Sequence, residues 1–180
     1  MNNQVAVRYA KSIFLLAEEK NIVEEIRNDI QLVESSFSAF PDLKESIDNP
    51  VLNTSIKKSI LTDIFKDKLN EYSFKFLLLI LDNKREASFI NIFRDFDDLY
   101  RKSKNIEKAT ITSVEKLDKD TVASIIKTLE ASFNSNVELE EQVNADLIGG
   151  LIIQIEDKKY DFSIAGKLHK IEQELKQAKI

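Results

Sequence analysis

Residues that interrupt helices lie only towards the two ends of this chain. Both prolines fall in the first third of the 180 residues and all three glycines in the last third, at Pro41, Pro50, Gly149, Gly150 and Gly166. A helix interior tolerates Pro and Gly least, so nothing stops a helix outright between residues 51 and 148. The chain is therefore predicted to be mainly helical.

Apolar residues recur every three or four positions through the first hundred residues, which is helical spacing. The clearest stripe runs from Ile22 through Ile26, Ile30, Val33 and Phe37 to Phe40, and Pro41 ends that helix. Comparable stripes predict further helices, over residues 6–17, 42–47, 56–65, 70–81 and 89–100. We predict about six helices packed as a bundle.

After Asn105 the spacing changes to the alternation typical of strands. Half-buried strands are predicted over 109–114 and 137–143, with a helix between them that Asp118 can cap. The apolar run over 151–155 predicts a strand covered on both faces. Ser163 or Asp161 then caps a last helix. The predicted fold class is mainly α, with an N-terminal six-helix bundle over 1–104 and a small α+β C-terminal domain over 105–180.

Composition excludes most familiar chemistry. The chain has no Cys and a single His, so zinc fingers, thiol nucleophiles and paired-His metal sites lack their ligands. A net charge of −5 argues against nucleic-acid binding. The longest apolar run, Phe76–Leu81, is far shorter than the ~20 residues of a membrane span. We expect no catalytic, cofactor or metal site, no direct membrane insertion and no secretory signal.

Three features could carry chemistry, and each has a simpler structural explanation. Gly149-Gly150 lacks the Gly-Lys-Ser/Thr and the following helix that phosphate binding needs, so a tight bend into a strand is favoured. His169 has no second His or nucleophile near it in the sequence. The glutamates at 138, 140 and 141 alternate along a strand, which predicts a solvated edge.

Two predicted helices carry more apolar surface than one buried face requires: the first helix and the segment Phe74–Leu81. Either both lie centrally in the bundle, or they lie side by side and leave a groove for a partner's amphipathic helix. Residue spacing alone leaves both alternatives open. It supports a binding module better than an enzyme.

Four stretches carry a resemblance to a known family: Arg8 to Ala17, Asn49-Pro50 with Lys57-Lys58, Phe76 to Arg85, and Val143 to Gly150 with Asp161-Phe162-Ser163 downstream. In order and spacing they resemble the delta subunit of F-type ATP synthase, the family of the mitochondrial oligomycin sensitivity conferral protein. The resemblance spans nearly the whole chain. It implies a peripheral-stalk, or stator, subunit without an active site.

The resemblance also implies partners. The bundle would bind the N-terminal helix of an alpha subunit between its first and fifth helices, and the C-terminal domain would contact the C-terminal helices of the b subunits. One copy would sit in a large hetero-complex, peripheral at the cytoplasmic face of the inner membrane. A generic adaptor for another amphipathic helix is the alternative. The residues implied to bind the alpha subunit are Arg8, Tyr9, Ile13, Phe14, Ala17, Phe74, Leu77, Leu78 and Leu81.

Overall fold

The computed structural model describes residues 3–133, 135–155 and 158–177. It divides into two compact units, one ending at Tyr100 and the other beginning at Arg101. No helix in the described part of the chain has the length and hydropathy of a membrane span. The predicted fold class is confirmed, since a helical N-terminal region precedes a sheet with helices.

The N-terminal unit is helical, and its helix ends follow local signals. Its elements are α1 (Asn3–Lys20), α2 (Val23–Ala39), α3 (Pro41–Asp48), α4 (Thr54–Phe65), α5 (Glu71–Asp82), a 3-10 turn (Glu86–Ser88) and α6 (Phe89–Lys104). Asn21 has left-handed backbone, with φ 57°, and the Ile22 amide donates to the Ala17 carbonyl at 2.9 Å. This is the hydrogen bond of a Schellman motif, so α1 and α2 form a tight helical hairpin.

Helix α6 lies at the centre of the N-terminal core. Phe89, Phe93 and Phe96 are all fully buried on it. The Phe96 ring lies 5.8 Å from that of Phe14 on α1, and the Phe89 ring 5.9 Å from that of Phe37 on α2. Each buried Phe contributes about 1.5–3 kcal/mol of transfer free energy, so these ring contacts hold the hairpin against α6.

The C-terminal unit contains a four-stranded mixed sheet in the order β2-β1-β3-β4. Strands β1 and β2 pair in parallel, whereas β1 with β3 and β3 with β4 pair antiparallel. The fourth strand was not predicted, because it is a short edge strand of mostly charged residues. The elements are β1 (Ile106–Ser113), α7 (Lys119–Phe133), β2 (Asn136–Val143), β3 (Leu151–Ile155), β4 (Lys158–Asp161) and α8 (Ile164–Gln177).

One face of this sheet is apolar and the other is polar. Ala109, Ile111, Ile153 and Ile155 are buried on the apolar face, while Gln154 of β3 is exposed on the other. The prediction that 151–155 is covered on both faces is therefore wrong. Its apolar run is broken by Gln154, and a strand has period two, so Gln154 points away from the core.

Helix α7 covers only part of the apolar face. It connects the parallel strands β1 and β2, and its apolar side chains Ile125, Ile126, Leu129 and Phe133 pack on the buried core. Asp118 accepts hydrogen bonds from the Thr121 amide at 2.8 Å and the Thr121 hydroxyl at 2.6 Å, so the predicted cap is confirmed. The β3–β4 half of the face lies beyond α7.

Candidate helix-binding surfaces

The residues of α1 implied to bind a partner helix divide into buried and accessible ones. Ile13, Phe14 and Ala17 are buried within the N-terminal unit. Tyr9 is half-buried, and Arg8 is exposed. The buried three hold α1 in the bundle, so Tyr9 and Arg8 are the implied α1 residues that a docked helix can reach.

The implied residues of α5 divide in the same way. Leu77 and Leu81 are buried, while Phe74 and Leu78 are half-buried. On the remaining side of α5, Leu79 is 49% exposed. Helix α5, whose sequence is apolar on nearly all sides, is therefore covered only in part by its neighbours.

Contact between α1 and α5 is made by Tyr9 and Phe76, whose ring centroids lie 6.3 Å apart. Asn70, which caps α5, bonds the side chains of Glu25 and Asp29 near the start of α2. Further along, Phe76 and Leu77 of α5 border the same small cavity as Ile30 and Val33 of α2, so α2 and α5 run in the same direction. Because α1 and α2 form a hairpin, α1 and α5 are antiparallel.

The side of α5 that carries Phe74 and Leu78 is not the side that meets α1. Residues two apart on a helix point about 200° apart, so Phe74 diverges from Phe76. Phe74, Leu78 and Asp82 are spaced by four and share one side, and Asp82 forms a salt bridge with Lys58 of α4 at 2.5 Å. The structure thus brings Tyr9 to Phe76 but directs Phe74 and Leu78 towards α4.

Other residues share the side on which α1 meets α5, and the sequence analysis did not single them out. Leu16 lies seven residues after Tyr9, and both are half-buried. Tyr72 and Leu79 lie four residues before and three after Phe76, which is helical same-side spacing. We name Tyr9, Leu16, Tyr72, Phe76 and Leu79 the α1–α5 surface. Spacing from Tyr9 could have identified Leu16, but no sequence signal identifies the side of α5.

An exposed ion pair lies on α5 beside this surface. The Lys75 ammonium donates to Glu71 at 2.5 Å. This hydrogen bond, with the charge of Lys75, lowers the pKa of the Glu71 carboxyl, and the same contact raises the pKa of Lys75. Both side chains are about two-thirds exposed, so the pair adds little stability but makes this rim of α5 electrically neutral.

The second surface is a cleft of about 880 Å³ over the uncovered half of the sheet. We name it the α7–β4 cleft. Ile125, Leu129 and Phe133 form its α7 wall, and Leu151, Ile153, Tyr160 and Phe162 form its floor and far side. Taking an α-helix as a cylinder about 10 Å across, this volume holds roughly two turns.

Hydroxyl side chains on α7 border the cleft without making it polar. Ser124, Thr128 and Ser132 each donate to the carbonyl four residues earlier, at 2.9, 2.9 and 2.8 Å. Their donors are therefore satisfied within the helix. They present small, mostly apolar surface, so a partner helix can approach closely.

The glycine pair shapes one end of the cleft. Gly150 has φ +85°, and a Cβ there would lie 2.4 Å from the Phe162 carbonyl oxygen. Ser163 accepts from the Gly166 amide at 2.9 Å, and the Asp161 carboxylate accepts from the Ser163 amide at 2.9 Å, so Ser163 caps α8. The bend before β3 thus packs on the connection from β4 to α8. This agrees with the prediction that the glycine pair allows a tight bend into the strand.

The remaining candidates for chemistry are solvated. His169 is exposed and lies 3.8 Å from Glu172 on the same helix. Glu140 pairs with Lys108 at 2.7 Å on the polar face of the sheet. Within the described residues no group of three or more His, Asp or Glu side chains could hold a metal ion.

Each of the two units thus carries an apolar surface that its own elements leave accessible: the α1–α5 surface on the helical unit and the α7–β4 cleft on the sheet. A family model for the ATP synthase delta (OSCP) subunit matches residues 5–175. The chain belongs to this family, whose members form a non-catalytic part of the peripheral stalk of F-type ATP synthase. The chain is thus a subunit of the F1 part of a complex that carries out ATP synthesis and proton transport.

Similarity to individual proteins extends over nearly the whole chain. The ATP synthase subunit delta of Alkalihalophilus pseudofirmus is 32% identical over 177 residues, 97% of each chain. That of Alkaliphilus metalliredigens is 31% identical over 178 residues, 98% of each chain. A chain in the cryo-EM structure of the Toxoplasma gondii mitochondrial ATP synthase hexamer shares the fold, with a TM-score of 0.78, 20% identity, and coverage of 94% of this chain and 96% of that one.

Proposed function

We propose that this subunit joins the catalytic head to the stalk by binding one helix on each of its units, and so resists the torque of the rotor. The observation that carries the proposal is that each unit has its own apolar surface left open by its own helices. A protein that only filled space would need neither surface. One copy would serve each complex, peripheral at the cytoplasmic face of the inner membrane.

On the N-terminal unit, the proposed occupant is the N-terminal helix of an alpha subunit. Tyr9, Leu16 and Leu79 of the α1–α5 surface can receive the apolar stripe of an amphipathic helix. Arg8 is exposed beside Tyr9 and can pair with an acidic residue of that helix. The buried residues Ile13, Phe14, Ala17, Leu77 and Leu81 would then support the surface from below.

Phe74 and Leu78 are half-exposed too, and they define an alternative binding site for the alpha-subunit helix on the α4 side of α5. Calorimetry with a peptide of the alpha-subunit N-terminus distinguishes the two. Leu79→Glu should abolish binding, because it places a charge in the apolar contact, whereas Leu78→Glu should leave most of it.

Leu32→Glu is the matched control, since Leu32 is 39% exposed on α2 and lies off its buried stripe. Circular dichroism checks that all three variants fold. Loss of binding in Leu78→Glu alone would move the site to the α4 side. Unchanged binding in both would refute the proposed head contact.

On the C-terminal unit, the proposed occupant is a C-terminal helix of a b subunit, seated in the α7–β4 cleft. The lining of Ile125, Leu129, Ile153 and Tyr160 favours an apolar stripe. A standard interface buries on the order of 800 Å² per partner, with affinities from micromolar to far tighter, depending on anchor residues more than area. Tyr160→Glu, at a cleft residue that is 39% exposed, should release the b subunit in a pull-down without affecting the alpha peptide.

A further inference from the structure

Three hydrogen bonds converge on Asn70, the residue before α5. Its side-chain oxygen accepts from the Tyr72 amide at 2.9 Å and so caps the helix. Its side-chain amide donates to the Glu25 carboxylate at 2.9 Å, and its backbone amide donates to the Asp29 carboxylate at 2.8 Å. Both carboxylates belong to α2, so the start of α5 is tied to a neighbouring helix. We name Glu25, Asp29 and Asn70 the α2–α5 clamp.

The charges of the clamp suit its place in the fold. The amino end of α5 carries partial positive charge from the amides of its first turn. Glu25 and Asp29 are one helical turn apart on α2, and both bond the residue at that end. Like charges at this spacing repel each other in an isolated helix, and the donors of Asn70 offset that repulsion here. The two carboxylates are therefore satisfied only when α5 begins where it does.

Apolar packing alone does not fix this end of α5. A cavity of about 10 Å³ lies between α2 and α5, and Asp29, Ser73 and Phe76 border it. Ser73 is 4% exposed, yet its hydroxyl has no hydrogen-bond partner among the described residues. The polar clamp is therefore the contact that limits movement at the start of α5.

The clamp lies at one end of the α1–α5 surface. Helices α1 and α5 are antiparallel, so Leu16 and Tyr72 lie towards the same end of that surface. The clamp is at this end, because Asn70 is two residues before Tyr72. Since α5 is a hydrogen-bonded helix of only 12 residues, a shift at its start also moves Phe76 relative to the Tyr9 ring.

We infer that the clamp sets the position of α5 in the α1–α5 surface, so that Glu25, Asp29 and Asn70 are positioning residues for the docked helix without touching it. This inference rests on the proposed function, which supplies the alpha-subunit helix as the occupant. It adds a determinant of binding on α2, a helix that contributes no residue to the surface.

The test uses the full-length chain and a peptide of the alpha-subunit N-terminus in calorimetry. Asn70→Asp keeps the cap of α5, because Asp is as good an N-cap as Asn, but it removes the donor to Glu25 and adds a third negative charge. Peptide binding should weaken about three- to ten-fold, since a hydrogen bond to a charged group is lost and like charges meet. Circular dichroism checks that the variant folds.

Glu25→Gln provides the rescue. When it is combined with Asn70→Asp, the amide donor lies on α2 and the carboxylate on α5, so the hydrogen bond forms in reverse and the affinity should return close to the wild-type value. Glu25→Gln alone should change the affinity little, because Gln still accepts from Asn70. A double variant as weak as Asn70→Asp would overturn the positioning role. An equal loss in Glu25→Gln alone would also overturn it, by showing that Glu25 contacts the peptide directly.

A matched control separates positioning from general stability. Tyr100→Phe removes another hydrogen bond of α2, the one that the Tyr100 hydroxyl donates to Glu24, but it leaves α5 alone. It should lower stability without changing the affinity for the peptide. A loss of affinity as large as that of Asn70→Asp would mean that any weakening of the bundle reduces binding, and the clamp would have no special role.

NMR without the peptide gives the second readout. The Tyr9 ring is on α1 and reports the movement of Phe76, so its signals should shift in Asn70→Asp and return in the double variant with Glu25→Gln. Unmoved Tyr9 signals would overturn the positioning role and leave the head contact intact. A wild-type chain that binds no peptide would refute the proposed head contact, and the role of the clamp in binding with it.

Discussion

The guanidinium of Arg27 lies 4.0 Å from the centre of the Tyr100 ring. The same side chain donates from Nε to Asp97 at 2.9 Å, and the Tyr100 hydroxyl donates to Glu24 at 2.7 Å. Two residues of α2 are thereby fixed to the end of α6 where the N-terminal unit stops. The contact is a stacked cation on a nearly buried ring, which Lys in place of Arg27 would reproduce poorly.

Stability should fall at alkaline pH through Tyr100. Burial, followed by its hydrogen bond to Glu24, raises the pKa of Tyr100 above 10.0. The stabilisation is complete below the unfolded pKa of about 10 and is lost as pH rises through the higher folded value. In urea titrations from about pH 8 to about pH 11, wild type should lose stability relative to Tyr100→Phe. A constant difference between the two proteins would contradict this assignment.

Lys57 is 2% exposed and bonds Glu86 of the 3-10 turn, which ties α4 to the segment after α5. Glu86→Gln should lower the free energy of unfolding by about 3 kcal/mol, because a buried ammonium loses its counter-charge. Lys57→Met with Glu86→Leu should recover much of this loss in chemical denaturation. Lys58→Ala is the control, since the side chains of the Lys58–Asp82 pair are 33% and 55% exposed. A double variant less stable than Glu86→Gln would count against the ion-pair explanation.

The two adjacent glycines should respond differently to Ala. Gly150→Ala forces a Cβ against the Phe162 carbonyl oxygen at a positive φ and should cost about 1–3 kcal/mol. Gly149→Ala meets the flexible end of Ile164, which can move, so its cost should be smaller. Denaturation of both variants gives the comparison, and equal losses would mean that the close approach at Gly150 is unimportant.

In membranes, the Leu79→Glu variant should separate hydrolysis from pumping. The catalytic head keeps its own sites, so ATP hydrolysis should continue, but a head without its stator contact turns with the rotor. ATP-driven acidification of vesicles should therefore fall towards zero, while Leu32→Glu should behave as wild type. Normal acidification with Leu79→Glu would mean that the α1–α5 surface does not transmit torque.

The sequence predicts elements well where one residue pattern decides them. Helix α2 follows from a single apolar stripe and Pro41: Ile26, Ile30, Val33 and Phe37 of that stripe are buried, and Pro41 begins the next helix. Phe40, the predicted last residue of the stripe, is instead 66% exposed, because it lies between the two helices. Strand β4 escapes prediction because Lys158, Lys159 and Asp161 give it a polar sequence, and pairing with β3 alone makes it a strand. Such a strand forms through backbone hydrogen bonds, which the hydropathy pattern of its side chains does not reveal.

The candidate site shows a different limit. Periodicity identifies α5 as apolar on all sides, but which neighbour covers each side depends on packing. Phe74 and Phe76 are equivalent by composition, and only the fold brings Phe76 to Tyr9 and sends the Phe74 side towards Lys58 of α4. The alpha-subunit contacts implied for Phe74 and Leu78 stay predictions that the peptide experiment will test.

The half-covered sheet has a consequence for how the complex is made. A copy released from the ribosome without its stalk exposes Phe162, Tyr160 and the α7 wall to water, and an apolar patch of this kind attracts other chains. If a stalk helix fills the cleft as proposed, surplus copies should aggregate or be degraded, while assembled copies would be protected. Synthesis of this chain and the stalk subunits in matched amounts would keep the number of unassembled copies small.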